Sequence, residues 1–382
     1  MKPFLCLCAS LAWTGLAVAQ PLAFPGAQGF GRFATGGQGG ETVHVTTLAD
    51  AGPGSLREAV SQPGRLVVFD VGGLIRLKSN LVVSDRITLA GQTAPGPGIC
   101  LFGRSTSFSD RQNIIVRYLR FREGITGDRG KCAVNLTSGA NMIFDHCSIE
   151  WGRWDCLGLT RGSHDITFQN CIIGQGVDPQ RFGSLSDTVT NITYLRNLWI
   201  DNQSRNPKAK GRIQYLNNIV YNWGVCGLVG GHSAGDHFLD AVGNCFLPGP
   251  QSGRHAVGEF KPTDHVYSLD NWVNPGKTGQ LNLRPLLPAE FGSDADAPTF
   301  ASAPQVAPDM TVPIEPAATA LLHVLATAGC SLHRDPVDTR LIDSVSSYGQ
   351  RGHIIHSEAE LGGPGDWPEV HAPADLKALE MD

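Results

Sequence analysis

The stretch Ser204-Arg-Asn-Pro-Lys-Ala-Lys-Gly-Arg212 carries four cations in eight residues, around a proline and directly before an alternating, strand-like run. Other basic residues cluster in the same region: Arg117, Arg120, Arg122, Arg129, Lys131, Arg153, Arg161 and Arg181. The formal net charge of −5 hides this concentration. A basic groove would attract an acidic polymer, whereas the same cations on scattered turns would be only a solvated face. With no overall basic excess, nucleic acid is excluded as the expected partner.

What decides between those readings is the element that carries the cations. A nine-residue pattern recurs, with a turn residue followed by apolar alternation. It reads Asn113-Ile-Ile-Val-Arg-Tyr-Leu-Arg-Phe121, Asn141-Met-Ile-Phe-Asp-His-Cys-Ser-Ile149 and Asp165-Ile-Thr-Phe-Gln-Asn-Cys-Ile-Ile173, then Asn191 to Trp199, Arg212 to Val220 and His265 to Val273. Phe238 to Phe246 is a weaker copy. Starts at 113, 141, 165, 191 and 212 stand 28, 24, 26 and 21 residues apart. Alternation within each copy means strand, and one structural rung per repeat means a solenoid. The fold expected is all-β, a right-handed parallel β-helix. Leucine-rich repeats would show a different spacing and more Leu. Stacked coils bring residues one repeat apart to within ~4.8 Å, so cations from several rungs can line one groove.

The seventh repeat position is Asn197, Asn218 and Asn271 in some copies and Cys147 and Cys171 in others. Identical Asn residues can hydrogen-bond along a stack. Cys147 and Cys171 are expected buried on neighbouring rungs. The 46 Gly and 24 Pro residues, with 17% charged residues, fit many short strands and turns. Residues 1–19 read as a signal peptide, with Lys2, an apolar run and Ala17-Val18-Ala19. The organisation expected is that signal, a β-helix over 20–275, and a C-terminal wrap over 276–382. Leu56 to Val60 is read as a cap. Pro316 to Cys330 is read as a short helix covering the exposed edge of the stack. The expected product is a secreted monomer without a membrane span. Eight cysteines follow the signal, without a CxxC spacing that would indicate structural zinc.

Arg205-Asn-Pro-Lys-Ala-Lys210 followed by Ile213-Gln-Tyr-Leu-Asn-Asn-Ile-Val-Tyr-Asn222 resembles the Arg-x-Pro-Arg-x-Arg motif and Asn-Asn strand of pectate lyases. Phe144-Asp-His146 is similar to their Ile-Asp-His, and Val68 to Ile75, Ile87 to Gln92 and Ile115 to Phe121 resemble their early coils. Ala326 to Leu332, Arg334-Asp335 and Leu361 to Pro364 resemble the tails of environmental bacterial members. The likeness runs from about residue 23 almost to the end. It implies β-elimination on polygalacturonate or a related uronate polymer. A base must take the proton at C5, and the adjacent carboxylate must be neutralised.

In the family the arginine matching Arg205 is the base. A guanidinium is nonetheless a poor base, so Arg205 is read either as base or as a stabilising cation with another group taking the proton. Lys208 and Lys210 stand where the motif has arginines and are expected to bind substrate, as is Arg181. Calcium, the family's usual neutralising ion, would be held by carboxylates, and Asp128, Glu150 and Asp155 are the candidates. Asp128 is placed one coil below Asp155, so that both face one ion. Cys156 or Gly158 stands where a second carboxylate is often found, and Arg153 could replace part of the metal's charge. The competing classes are a non-catalytic polysaccharide-binding or adhesion β-helix and, further off, a hydrolase. Gly230-Gly-His-Ser233 is distantly similar to the polygalacturonase Gly-His-Gly, but hydrolysis needs paired aspartates and no Asp-Asp pair occurs.

Overall fold

The computed structural model describes residues 20–292, 296–307 and 312–372, so the expected signal peptide lies outside the described residues. The chain winds into a parallel β-solenoid with three strands to a coil. One coil runs Val134–Thr137, Ala140–Asp145, Ser148–Glu150, and the next Asp155–Thr160, His164–Gln169, Ile172–Gly174. Two sides of the coil merge into one 17-stranded sheet, and the third side is an 11-stranded sheet. The merger has a local cause. Phe182–Leu195 and Lys208–Leu216 turn the corner as single strands, where other coils use two.

Pairing between successive coils is parallel, with a register shift where Phe182–Leu195 meets Lys208–Leu216. Ile114, Met142, Ile166, Ile192, Ile213, Leu239 and Val266 form one inward column. All of them are buried. Phe144 stacks on Phe168 with ring centroids 4.6 Å apart, and Phe168 on Tyr194 at 5.7 Å. No coil can bury such a column alone, so each rung depends on its neighbours. The repeat's first residue is left-handed at Asn113, Asn141, Asp165 and Asn191, with φ of 50 to 58°. Asn and Asp adopt that conformation at lower cost than most residues.

The seventh position is a buried ladder. Asn197 N donates to Asn218 Oδ1 at 3.1 Å, Asn218 N to Asn244 Oδ1 at 2.8 Å, and Asn244 N to Asn271 Oδ1 at 3.1 Å. Cys171 N donates to Asn197 Oδ1 at 2.8 Å, joining the cysteines to the series. Cys147 and Cys171 are both fully buried, and the register on either side of them places them on adjacent rungs. The eight cysteines among the described residues are buried and unpaired. Cys147, Cys156 and Cys171 fill the solenoid core as small apolar residues, and Cys245 lies under the flanking helix.

The helix Leu56–Ala59 packs on the strand Glu41–Val45 and adds Leu56, Ala59 and Val60 to the core. The C-terminal helix spans Ala317–Thr327, but it lies along the flank of the stack and not across its end. Leu321 and Val324 meet Ile172, Leu198, Ile219 and Cys245, outward residues from four successive coils. The last coil is covered by the wrap: Thr299–Phe300 pairs with His265–Val266, and Leu286 and Phe291 enter the core. No helix among the described residues is long and apolar enough to cross a membrane.

Candidate active site

Each short strand of the third side ends in a loop that climbs to the next coil. These loops, at 123–133, 151–154, 175–181, 201–207, 222–225 and 248–254, stack along one edge. They border the face formed by the strands Val134–Thr137, Asp155–Thr160, the first half of Phe182–Leu195, and the start of Lys208–Leu216. Arg129, Lys131, Arg153, Arg181 and Arg205 lie on these loops, and Lys208 and Lys210 on the strand that follows; Arg120 and Arg122 are instead buried in ion pairs with Asp335 and Asp338, and Arg117 pairs with Asp145.

Arg205 sits in the turn before the last of these strands, in a left-handed conformation with φ 61°. Ser184 N donates to its carbonyl at 2.7 Å. Asn206 is buried; its Oδ1 accepts from Asn202 and its carbonyl from the Tyr215 hydroxyl, both at 2.9 Å. Gly183 makes room for this turn, since a Cβ there would lie 2.5 Å from the Arg205 carbonyl oxygen. The guanidinium projects over the Phe182 ring, 4.2 Å from its centroid, and meets both carboxylate oxygens of Asp155 at 3.3 Å. Burial pushes the Asp155 carboxyl up to about 6, against the opposing pull of Arg205 and then Lys208.

Lys208 and Lys210 occupy alternate, partly exposed positions with Ala209 buried between them. Lys210 Nζ is 3.0 Å from Asp187. Lys208 lies beside Leu185 of the coil below, and Leu185 in turn beside Gly158. Its Nζ is 3.9 Å from Glu259. Burial lowers the Lys208 ammonium, and Arg205 and Lys210 add to that shift while Glu259 opposes it.

The expected calcium ligands do not converge. Glu150 is fully buried on the third side, where it meets Arg122. It belongs to the network that docks the helix Pro336–Val345, together with Asp335 and Asp338. Its side chain follows the inward-outward phase of its short strand, which the spacing argument did not track. Asp128 is exposed in its loop, and Asp155 is engaged by Arg205, so the two do not share one centre. Arg153 bridges the loops instead, with Nη1 on the Gly127 carbonyl at 2.9 Å and Nε on the Asp178 carbonyl at 3.3 Å. Among the described residues no three His, Cys, Asp or Glu side chains are placed to hold a metal. This donor set does not fit a calcium ion held by protein carboxylates alone.

Arg181 turns to the loop wall. It pairs with Asp178 at 3.3 Å and meets His356 of the C-terminal segment at 3.4 Å. Asp145 is a coil residue, accepting from Arg117 and Gln169 at 2.9 Å. Burial opposes its ionisation, but His146, Arg117 and Gln169 outweigh that and hold its carboxyl below the usual range. Sequence reasoning missed Phe182, Asp187, Glu259 and Glu123. The last is fully buried, with Oε2 accepting from Arg153 N at 3.1 Å and Oε1 without a hydrogen-bond partner. Burial pushes its carboxyl up to about 8. Only the outward register of the groove strands could have flagged Asp187, one coil below Lys210.

No family model matches the chain. It is 43% identical over 357 residues to a probable pectate lyase C of Aspergillus terreus, spanning 93% of this chain and 84% of that protein. It is also 43% identical to a probable pectate lyase C of Aspergillus fumigatus, over 94% of this chain and 85% of the other. Among solved structures, a Bacillus subtilis pectate lyase superposes with a TM-score of 0.57 at 13% identity, covering 83% of this chain and all of that one. A Bacillus pectate lyase in complex with trigalacturonate gives 0.55 at 14% identity, over 80% and 98% of the two chains. The solenoid is thus the fold of those enzymes, and the sequence identity over nearly the whole length places this chain in the pectate lyase family as a polysaccharide lyase.

Proposed function

We propose that this protein is an exported enzyme that cleaves polygalacturonate or a related uronate polymer by β-elimination on the face carrying Arg205, Lys208 and Lys210. The observation that carries this reading is the arrangement of those three cations. One is fixed by Asp155 and Phe182 at the turn, and two follow on alternate outward positions of a rigid strand. A uronate binds through its carboxylate, and loss of the C5 proton sends negative charge onto that group. Fixed cations stabilise that charge more as it develops than they stabilise the ground state. Arg205 is the catalytic arginine in this reading and Lys210 a carboxylate clamp. Asp187 tempers the charge of Lys210 and holds its ammonium in place. Arg181 supports binding from the loop wall. Of the carboxylates first read as calcium ligands, Asp155 and Asp128 remain on this side of the molecule. Calcium, were it bound beside Asp128 and Asp155, would supply further neutralisation of the substrate's carboxylate, and no step is routed through it.

The test is incubation with polygalacturonate. A lyase produces the ultraviolet absorbance of a C4–C5 double bond conjugated with the carboxylate. Reducing ends without that absorbance would mean hydrolysis. Binding without either product would mean a non-catalytic β-helix.

A further inference from the structure

We propose that the indole of Trp154 is a stacking platform for a uronate ring, a substrate subsite two coils away from Arg205; this rests on the lyase reading above and adds to it where a second sugar is held. The loop 151–154 carries two tryptophans with opposite surroundings. Trp151 is buried, donates from Nε1 to Gln175 Oε1 at 3.3 Å and meets the Phe102 ring edge-on at 6.1 Å. Trp154 is 37% exposed, and among the described residues none stacks on its ring or accepts from its Nε1. An indole left in water offers an apolar face and a donor at its edge.

The backbone around Trp154 is pinned. Trp154 N donates to the Lys131 carbonyl at 2.9 Å, and Arg153 N to Glu123 Oε2 at 3.1 Å. The Arg153 guanidinium reaches the Gly127 and Asp178 carbonyls in the loops on either side. The ring is therefore presented from a fixed segment, which lowers the entropy lost when a ligand settles on it.

Register sets Trp154 in a column of residues, each immediately before a strand of the groove face. Its own bond to Lys131 gives the rung below, and the pairing of Asp155 with Phe182 sets Trp154 beside Arg181. Gln203 N then donates to the Arg181 carbonyl at 2.6 Å, and Val225 N to the Gln203 carbonyl at 2.7 Å. Lys131, Trp154, Arg181, Gln203 and Val225 thus stand one rung apart along the wall of the face that carries Arg205. Arg205 follows Gln203 by two residues, so Trp154 lies two rungs, roughly 10 Å, along the axis from it. A pyranose unit is about as long as one rung, so a polymer seated at Arg205 and running along the wall passes over Trp154.

The neighbours in the column select an acidic sugar. Lys131 is exposed on one side, and Arg181, although paired with Asp178, stands on the other. Asp128 is exposed in the same loop as Lys131, where Arg129 and Lys131 outnumber it. A galacturonate ring has an apolar face of C–H bonds and a carboxylate at its edge. Trp154 takes the face, and the flanking cations take carboxylates of the same polymer.

Kinetics and fluorescence test the platform separately. Trp154→Ala should raise KM for polygalacturonate about 10-fold with kcat within ~2-fold of wild type, because the stack is made alike in ground and transition states. Trp154→Phe, which keeps a ring, should recover most of the loss, and Trp154→Leu should not. In the slow Arg205→Lys background, saturating polygalacturonate should shift tryptophan emission to the blue, and adding Trp154→Phe should abolish that shift. An unchanged KM in Trp154→Ala, a loss confined to kcat, or an emission shift that survives without Trp154 overturns the assignment. Should the alanine variant not fold, the fluorescence pair decides alone. Wild-type enzyme that forms no double bond removes the lyase reading, whereas active wild type with neither response removes only the platform.

Discussion

Three cations share one face of the stack, yet each is held differently, and the differences set what substitution should do. Arg205→Lys keeps a charge but loses the planar guanidinium whose Nη1 meets both Asp155 oxygens. Turnover should fall by at least ~100-fold with little change in KM, because the loss is felt as charge develops. Lys210→Ala should instead raise KM with kcat nearly kept, since a carboxylate clamp acts on ground and transition states alike. Steady-state kinetics on both variants decide this, and equal small effects would reduce the cluster to a binding surface. Asp155→Asn removes the charge that anchors Arg205, so kcat should drop about 10-fold or more while binding persists. The grouping of Arg205, Lys208 and Lys210 was legible in the sequence because they lie within one turn and one strand. The Asp155 partner was not, because it stands fifty residues earlier and meets Arg205 only through the path of two loops.

Among the elements, the asparagine ladder and the helix dock carry the largest testable energies. Asn218 donates to the Tyr194 and Leu216 carbonyls at 2.9 and 3.1 Å and accepts from Asn197 N, all out of water. Asn218→Ala leaves those groups unsatisfied and should cost about 3 kcal/mol in denaturant unfolding. The ladder was readable from the repeat phase, since every seventh position points inward at the same corner. The helix on the flank was not. Its apolar face says that it must cover something, and only the outward Ile172, Leu198, Ile219 and Cys245 show what. Arg122 joins Glu150 to Asp335 and Asp338 under the neighbouring helix, with all four buried. Arg122→Ala strands Glu150 and leaves Asp335 and Asp338 to Arg120 alone, and should destabilise by about 3–5 kcal/mol.

For the whole molecule, stability should depend on pH through Glu123. Its carboxyl rises from an ordinary 4.5 to about 8 in the fold, chiefly by burial. Between those values the folded state keeps a proton that the unfolded chain has released, so stability is full below the lower value and falls as pH rises through the window. Glu123→Gln should flatten this loss, leaving the variant at least ~2 °C more thermostable than wild type near pH 8.5 and no more stable near pH 5. Thermal unfolding at the two pH values checks it. The sequence alone determined the solenoid, the rung spacing, the inward columns and the basic turn. Each of these follows from a periodic pattern or from neighbours along the chain, and a strand's two-residue period fixes which side chains face in. Tertiary structure alone decided that Glu150 belongs to a dock, that Asp155 is taken up by Arg205, that Arg181 faces the loop wall, and that Glu259 comes within 3.9 Å of Lys208. Those outcomes depend on how far each loop swings between coils and on which long charged side chain arrives at a carboxylate, and no repeat encodes either.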